Sequence, residues 1–210
     1  MSAMLAALWQ KEENHDRLVA FIRSLPEQNI ARLDFITTQR GDVMIQLIET
    51  FGGQEKAVDA PLLSDGTLRV LAIAATLMSA PPDSMVVIEE IDNGVHPSRA
   101  NQLMSSIQEV AKQRRLRVLL TTHNPALMDA LPIEAVADVV FCYRDPEAGD
   151  SRLVRLSDLA DYPQLMAQGD LGELVTAGIV DRVVKQQVDP EEKKKRALEW
   201  LEGLRASSSA

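Results

Sequence analysis

The feature that most constrains this chain is an alternation that begins after Leu63, where short apolar segments are separated by longer amphipathic ones. Met85 to Ile88 is continuously apolar and runs into Glu89 and Glu90; residues 116–120 repeat the pattern and run into Thr121-Thr122-His123-Asn124-Pro125. Between them, Pro97 suits the first turn of a helix that continues to Arg115. Strand, helix, strand in that order predicts parallel neighbours, because a parallel pair needs a crossover and tends to be buried. Upstream, Ser64 is a good N-cap, Asp65 complements the helix dipole, and residues 67–79 form an apolar helix stopped by Pro81-Pro82. A short helix over 126–131, a third strand over 137–143 and an edge strand over 153–156 continue the alternation. The expected class is α/β, with parallel core strands and helices on both faces.

The flanks are less regular. Leu5, Leu8, Trp9, Leu18, Phe21 and Ile22 recur at helical spacings, which predicts one amphipathic helix over 4–25 ended by Pro26. Residues 32–39 and 43–49 read as two strands around Arg40-Gly41-Asp42, followed by a loop, Gly52-Gly53-Gln54-Glu55-Lys56. Past Ser157 the chain turns helical and more polar, with a charged helix over 191–204 and a tail, 207–210, that has nothing to bury and is expected to be disordered. The expected organisation is a helix and strand pair over 1–60, a core over 61–156, a helical C-terminal extension over 157–206, and the tail.

Composition removes several function classes. The 22 Lys and Arg against 31 Asp and Glu give a net charge of -9, which argues against a generally basic nucleic-acid surface. A single cysteine, Cys142, excludes an internal disulfide framework and reads as a small buried hydrophobe. No stretch approaches the roughly 18 to 20 apolar residues that span a bilayer, and the start lacks the basic region of a secretory signal, so a cytosolic protein with no membrane partner is expected. Two basic clusters, Lys112-Gln-Arg-Arg-Leu-Arg117 and Lys193-Lys-Lys-Arg196, read as helix-end and helix-face charge; the alternative for the first is a local contact with nucleic acid, which the overall charge does not support.

Chemistry concentrates at the ends of the two core strands. Open α/β sheets bind ligands at the carboxyl ends of their strands, so Glu89, Glu90 and His123 would converge on one edge. Successive strand residues point to opposite sides, which suits one acid for a hydrated Mg²⁺ and the other for an attacking water. The competing reading is that the strand has ended and both acids are simply solvated. Likewise Ser64-Asp65-Gly66-Thr67 at a helix start offers N–H groups and a hydroxyl to a phosphate oxygen, or is ordinary capping.

Taken together and in order, the three pieces resemble the carboxyl-terminal half of an ABC-type ATPase head of the broad AAA group that includes the RecF, SMC and overcoming-lysogenization-defect heads. Leu63-Ser-Asp-Gly-Thr-Leu-Arg69 resembles the signature motif, Val86-Val-Ile-Glu-Glu-Ile-Asp-Asn-Gly-Val-His-Pro97 the Walker B and D-loop, and Leu120-Thr-Thr-His-Asn-Pro125 the switch-histidine loop. The resemblance implies a partial P-loop NTPase whose cofactors are ATP and Mg²⁺. It implies Glu89 at the Mg²⁺-water position, where Asp is more usual, Glu90 as the base that orients water, and His123 as the γ-phosphate sensor. Ser64, Asp65, Gly66 and Thr67, with Asn93 and His96 of the D-loop, would face nucleotide held by a second head, so the implied partner is another head in a homo- or hetero-dimer.

One part of that pattern is absent. A P-loop requires Gly, four residues, Gly-Lys and Ser or Thr, and none of the ten glycines precedes a lysine. The expected function is therefore an ATP-binding and ATP-hydrolysing head lobe that needs a Walker A polypeptide from another segment or chain; the alternative is an incomplete head retained as an interaction or regulatory module.

Overall fold

In a computed structural model, residues 1–23, 30–146 and 148–185 are described; Pro26, the charged 191–204 segment, the Lys193-Lys-Lys-Arg196 cluster and the tail lie outside them. Contacts divide the chain into a first unit, Met1–Leu131, and a second that begins at Pro132. The first unit opens with α1 (Ser2–Trp9) and α2 (His15–Arg23). These two helices replace the single helix expected over 4–25. Lys11 is extended, and Asn14, itself buried, donates from Nδ2 at 2.9 Å to the Leu8 carbonyl, which also accepts from Lys11 N–H at 3.3 Å where α1 ends. The Trp9 and His15 rings stack across the break with centroids 4.0 Å apart.

Three antiparallel strands follow: β1 (Ile30–Thr37), β2 (Val43–Phe51) and β3 (Gln54–Asp59), in the order β1-β2-β3. The β1–β2 hairpin is as expected, with Leu33 opposite Leu47 and Phe35 opposite Ile45. Where a loop was expected over 52–56, only Gly52 and Gly53 turn, both at positive φ (56° and 79°), which is the backbone of a tight two-residue hairpin. Gln54, Glu55 and Lys56 enter the sheet as an exposed edge, where Lys56 lies opposite Glu49 and the Arg32 guanidinium donates to Glu55 at 2.6 Å. That edge has no apolar alternation to announce it.

Then comes α3 (Asp65–Ser79), capped by Ser64 as expected, β4 (Met85–Ile88), α4 (Ala100–Arg114) after a 3-10 turn over Pro97–Arg99, β5 (Arg117–Leu120) and α5 (Pro125–Asp129). β4 and β5 pair in parallel, Met85 with Arg117 through Ile88 with Leu120, which is the crossover the sequence predicts. Leu18, Phe21, Leu33, Ile45, Leu71, Leu77 and Leu103 form the fully buried centre, where α2, α3 and α4 pack on one another and α1 and α2 meet the antiparallel sheet. On β4, Val86 and Ile88 are buried, whereas Met85 and Val87 are 53% and 55% exposed and Leu119 of β5 is 48% exposed. One face of the parallel pair is thus packed and the other open.

The second unit holds α6 (Ile133–Val136), β6 (Val140–Arg144), β7 (Ser151–Arg155), α7 (Tyr162–Met166), α8 (Leu171–Thr176) and α9 (Ile179–Lys185). β6 does not extend the parallel pair as a third strand. It pairs antiparallel with β7, Phe141 opposite Val154, because the short Asp145–Asp150 connection allows a hairpin and leaves no room for a crossover. Cys142 on β6 is exposed, not buried as expected. Leu156, Leu165, Leu171, Leu174, Val180 and Val184 supply its buried positions. No described helix is long and apolar enough to cross a membrane.

Candidate nucleotide site

The level register of β4 and β5 delivers two loops to one edge. Thr121 N–H donates to the Ile88 carbonyl at 3.0 Å and Ile91 N–H to the Thr121 carbonyl at 3.0 Å, so the chains stay knitted one step beyond the strands. Glu90 N–H donates to Thr121 Oγ1 at 2.9 Å. Glu89, Glu90 and His123 therefore lie at the same strand edge, all exposed to solvent. Glu90 sits at φ 48°, a left-handed conformation that costs a non-glycine residue energy and turns the backbone sharply out of β4. Its carboxylate Oε2 accepts from Asn93 Nδ2 at 2.7 Å, and its carbonyl accepts from Asn93 N–H at 3.0 Å.

Asp92 is a site residue that the sequence reading did not single out. Its nearly buried carboxylate accepts from Thr122 Oγ1 at 2.8 Å, and His123 Nδ1 stands 3.2 Å from its other oxygen. The His123 side chain is 78% exposed, so its ring reaches solvent beside this buried acid. Thr122 Oγ1 also accepts from Asn124 N–H at 3.0 Å, and Asn124 Oδ1 from Ala126 N–H at 3.0 Å, which sets the start of α5. The legible signal is a third acid, the Asp of Glu-Glu-Ile-Asp, which the two glutamates ahead of it obscure.

The start of α3 reaches the same loop. Ser64 Oγ accepts from Thr67 N–H at 3.2 Å and lies 2.9 Å from Thr67 Oγ1, so the serine caps the helix while itself remaining exposed. Asp65 is exposed, and Gly66 is buried against Gly94: a Cβ on Gly66 would stand 2.1 Å from the Gly94 carbonyl oxygen. Gly94 has φ 76°, so glycine is required there on both counts. One helical step on, Arg69 donates from Nη2 to the carbonyls of Glu89 at 2.5 Å and Glu90 at 2.8 Å. Arg69 was also missed, although a spacing of three puts it on the face of Gly66. His96 accepts at Nδ1 from Ser98 N–H at 3.3 Å and caps the turn at Pro97. The start of α3, the loops after β4 and β5 and the turn at Pro97 are thereby brought into one contiguous cluster in the first unit.

Residues 5–129, more than half of the chain, match the family described as "AAA domain, putative AbiEii toxin, Type IV TA system". The chain belongs to this AAA family. Its fold is that of SMC ATPase heads. A structure from work on ATP-driven dimerization and DNA-stimulated activation of SMC ATPases superimposes with a TM-score of 0.51, at 14% identity, over 88% of this AAA chain and 99% of that one. An SmcHead bound to the C-winged helix domain of ScpA gives 0.47 at 14% identity, over 66% and 40%. The Smc head from Pyrococcus furiosus, bound to the C-terminal domain of ScpA, gives 0.46 at 15% identity, over 72% and 36%. Among curated proteins no relative matches. This AAA domain is thus an ATPase-like nucleotide-binding domain.

The donor set suits the groups such a domain uses. No cluster of three His, Cys, Asp or Glu that could hold a metal alone occurs among the described residues. Exposed carboxylates at Glu89 and Glu90 are hard oxygen donors of the kind Mg²⁺ accepts when nucleotide phosphates complete its shell.

Proposed function

We propose that the chain is the signature and Walker B lobe of an ATP-hydrolysing head that acts as a nucleotide-sandwiched dimer and is completed by a P-loop lobe from another segment or chain. The observation that carries this reading is the convergence of Glu90, His123 and the α3 start on one edge, tied together by Thr121, Asp92 and the Gly66–Gly94 contact. Phosphoryl transfer rests on positioning and charge neutralisation, so an array of held polar groups is the chemistry required of this lobe. Mg²⁺ held by Glu89 and phosphate would neutralise charge on ATP. Glu90 orients the attacking water and takes its proton; Asn93, bonded to the carboxylate, aims it. His123, with Nδ1 3.2 Å from the Asp92 carboxylate, offers Nε2 to the γ-phosphate. Ser64, Asp65, Gly66 and Thr67, with Asn93 and His96, form the surface that meets nucleotide carried by the other head.

The open face of the parallel pair supports completion by a P-loop lobe. Met85, Val87 and Leu119 leave apolar side chains in water, neither outer edge of β4–β5 carries another strand among the described residues, and parallel sheets are ordinarily covered on both faces. The test is a charge placed on the signature surface. Ser64→Arg, in a head completed by a co-expressed Walker A lobe, keeps ATP binding in each head but removes ATP-dependent dimerisation, measured by sedimentation velocity. An undiminished ATP-dependent dimer would refute the role of this surface.

A further inference from the structure

We propose that Arg69 is a positioning residue for Glu90, holding the loop after β4 in the left-handed turn that aims the carboxylate. The inference rests on the reading of Glu90 as the base. Glu90 at φ 48° is in a conformation that an L-residue leaves unless neighbours hold it. Two neighbours do so. Thr121 Oγ1 takes the Glu90 N–H at 2.9 Å, and the Arg69 guanidinium donates to two consecutive carbonyls, those of Glu89 at 2.5 Å and Glu90 at 2.8 Å. Two carbonyls that converge on one donor are those on either side of the Glu90 nitrogen and α-carbon, so the bridge spans the strained residue itself.

The guanidinium is placed at a cost. Arg69 Nε is buried with no hydrogen-bond partner, a loss that an arginine reaching solvent would avoid. Arg69 also stands one helical step from Gly66, whose backbone touches Gly94. The α3 face therefore meets the loop at both ends of the Glu90–Gly94 segment, so that the start of α3 and the base form one mechanical unit. Lysine in place of Arg69 would bring a compact, strongly hydrated ammonium on a flexible stem in place of the rigid guanidinium.

Hydrogen exchange on the full chain tests this without nucleotide. In Arg69→Gln the amides of Ile91 and Asn93, which donate to Thr121 and Glu90, exchange at least tenfold faster, while those of the β1–β2–β3 sheet keep their rates. Arg69→Lys gives a smaller effect. Adding Glu90→Gly to Arg69→Gln returns the Ile91 and Asn93 amides toward wild-type rates, because glycine adopts positive φ unaided. In the completed head, Arg69→Gln lowers kcat at least tenfold with KM for ATP unchanged. Unchanged exchange at Ile91 and Asn93, or acceleration of every amide alike, would overturn the proposal. Local acceleration alongside a Glu90→Gln head that still turns over would leave the positioning intact and instead remove Glu90 as the base.

Discussion

Glu90→Gln in a head completed by a Walker A lobe binds ATP and does not turn it over. Gln has nearly the shape of Glu and still offers an oxygen to Asn93 Nδ2, so the loop keeps its geometry, but an amide cannot take a proton from water. Loss of a positioned general base costs about 10²–10⁴-fold in rate. The kcat measured by phosphate release falls by that factor while ATP affinity stays within about twofold, the separation expected when an interaction is made only in the transition state. Trapped ATP then also holds two heads together. Turnover at the wild-type rate would show that another group orients the water.

The second large effect is structural. Gly66→Ala places a Cβ 2.1 Å from the Gly94 carbonyl oxygen and 2.9 Å from its carbon, and the opposing atoms are backbone with no side chain to swing aside. Either the first turn of α3 or the D-loop must move. Overpacking of this kind costs roughly 1–3 kcal/mol. In a chain of this size each kcal/mol lowers Tm by about 2–4 °C, so thermal unfolding followed by circular dichroism shows a fall of several degrees. Gly94→Ala, which would meet Gly66 Cα at 2.6 Å from a φ of 76°, falls at least as far. Because the contact joins the start of α3 to the loop after β4, the two segments proposed to meet the other head, both variants also weaken ATP-dependent dimerisation of the completed head. Melting at the wild-type temperature would mean that the two loops are not in contact.

Elements whose reasons are local were legible in the sequence. Ser64 caps α3 and the prolines after Ser79 stop it; β4 begins and ends at Met85 and Ile88 because four apolar residues are bounded by polar ones. Residues whose reasons are tertiary were not. β3 holds its place by edge hydrogen bonds and the Arg32–Glu55 pair, with no apolar period to mark it. The break between α1 and α2 depends on Asn14 turning inward to Leu8, which helical spacing alone cannot foretell. The site divides the same way. Glu89, Glu90 and His123 stand at strand ends where pattern and position coincide. Asp92 and Arg69 act through partners 30 and about 20 residues away, Thr122 and the Glu89–Glu90 carbonyls, so only the fold identifies them.

The central claim is that these residues form the half of a head that lacks its phosphate cradle, and ATP binding tests it most directly. Isothermal titration of the chain with ATP and Mg²⁺, at concentrations high enough to permit a dimer, is predicted to give no saturable heat. The same titration with a Walker A lobe present gives binding. Saturable binding by the chain alone would contradict the account, since it would place an unconventional phosphate site within these 210 residues.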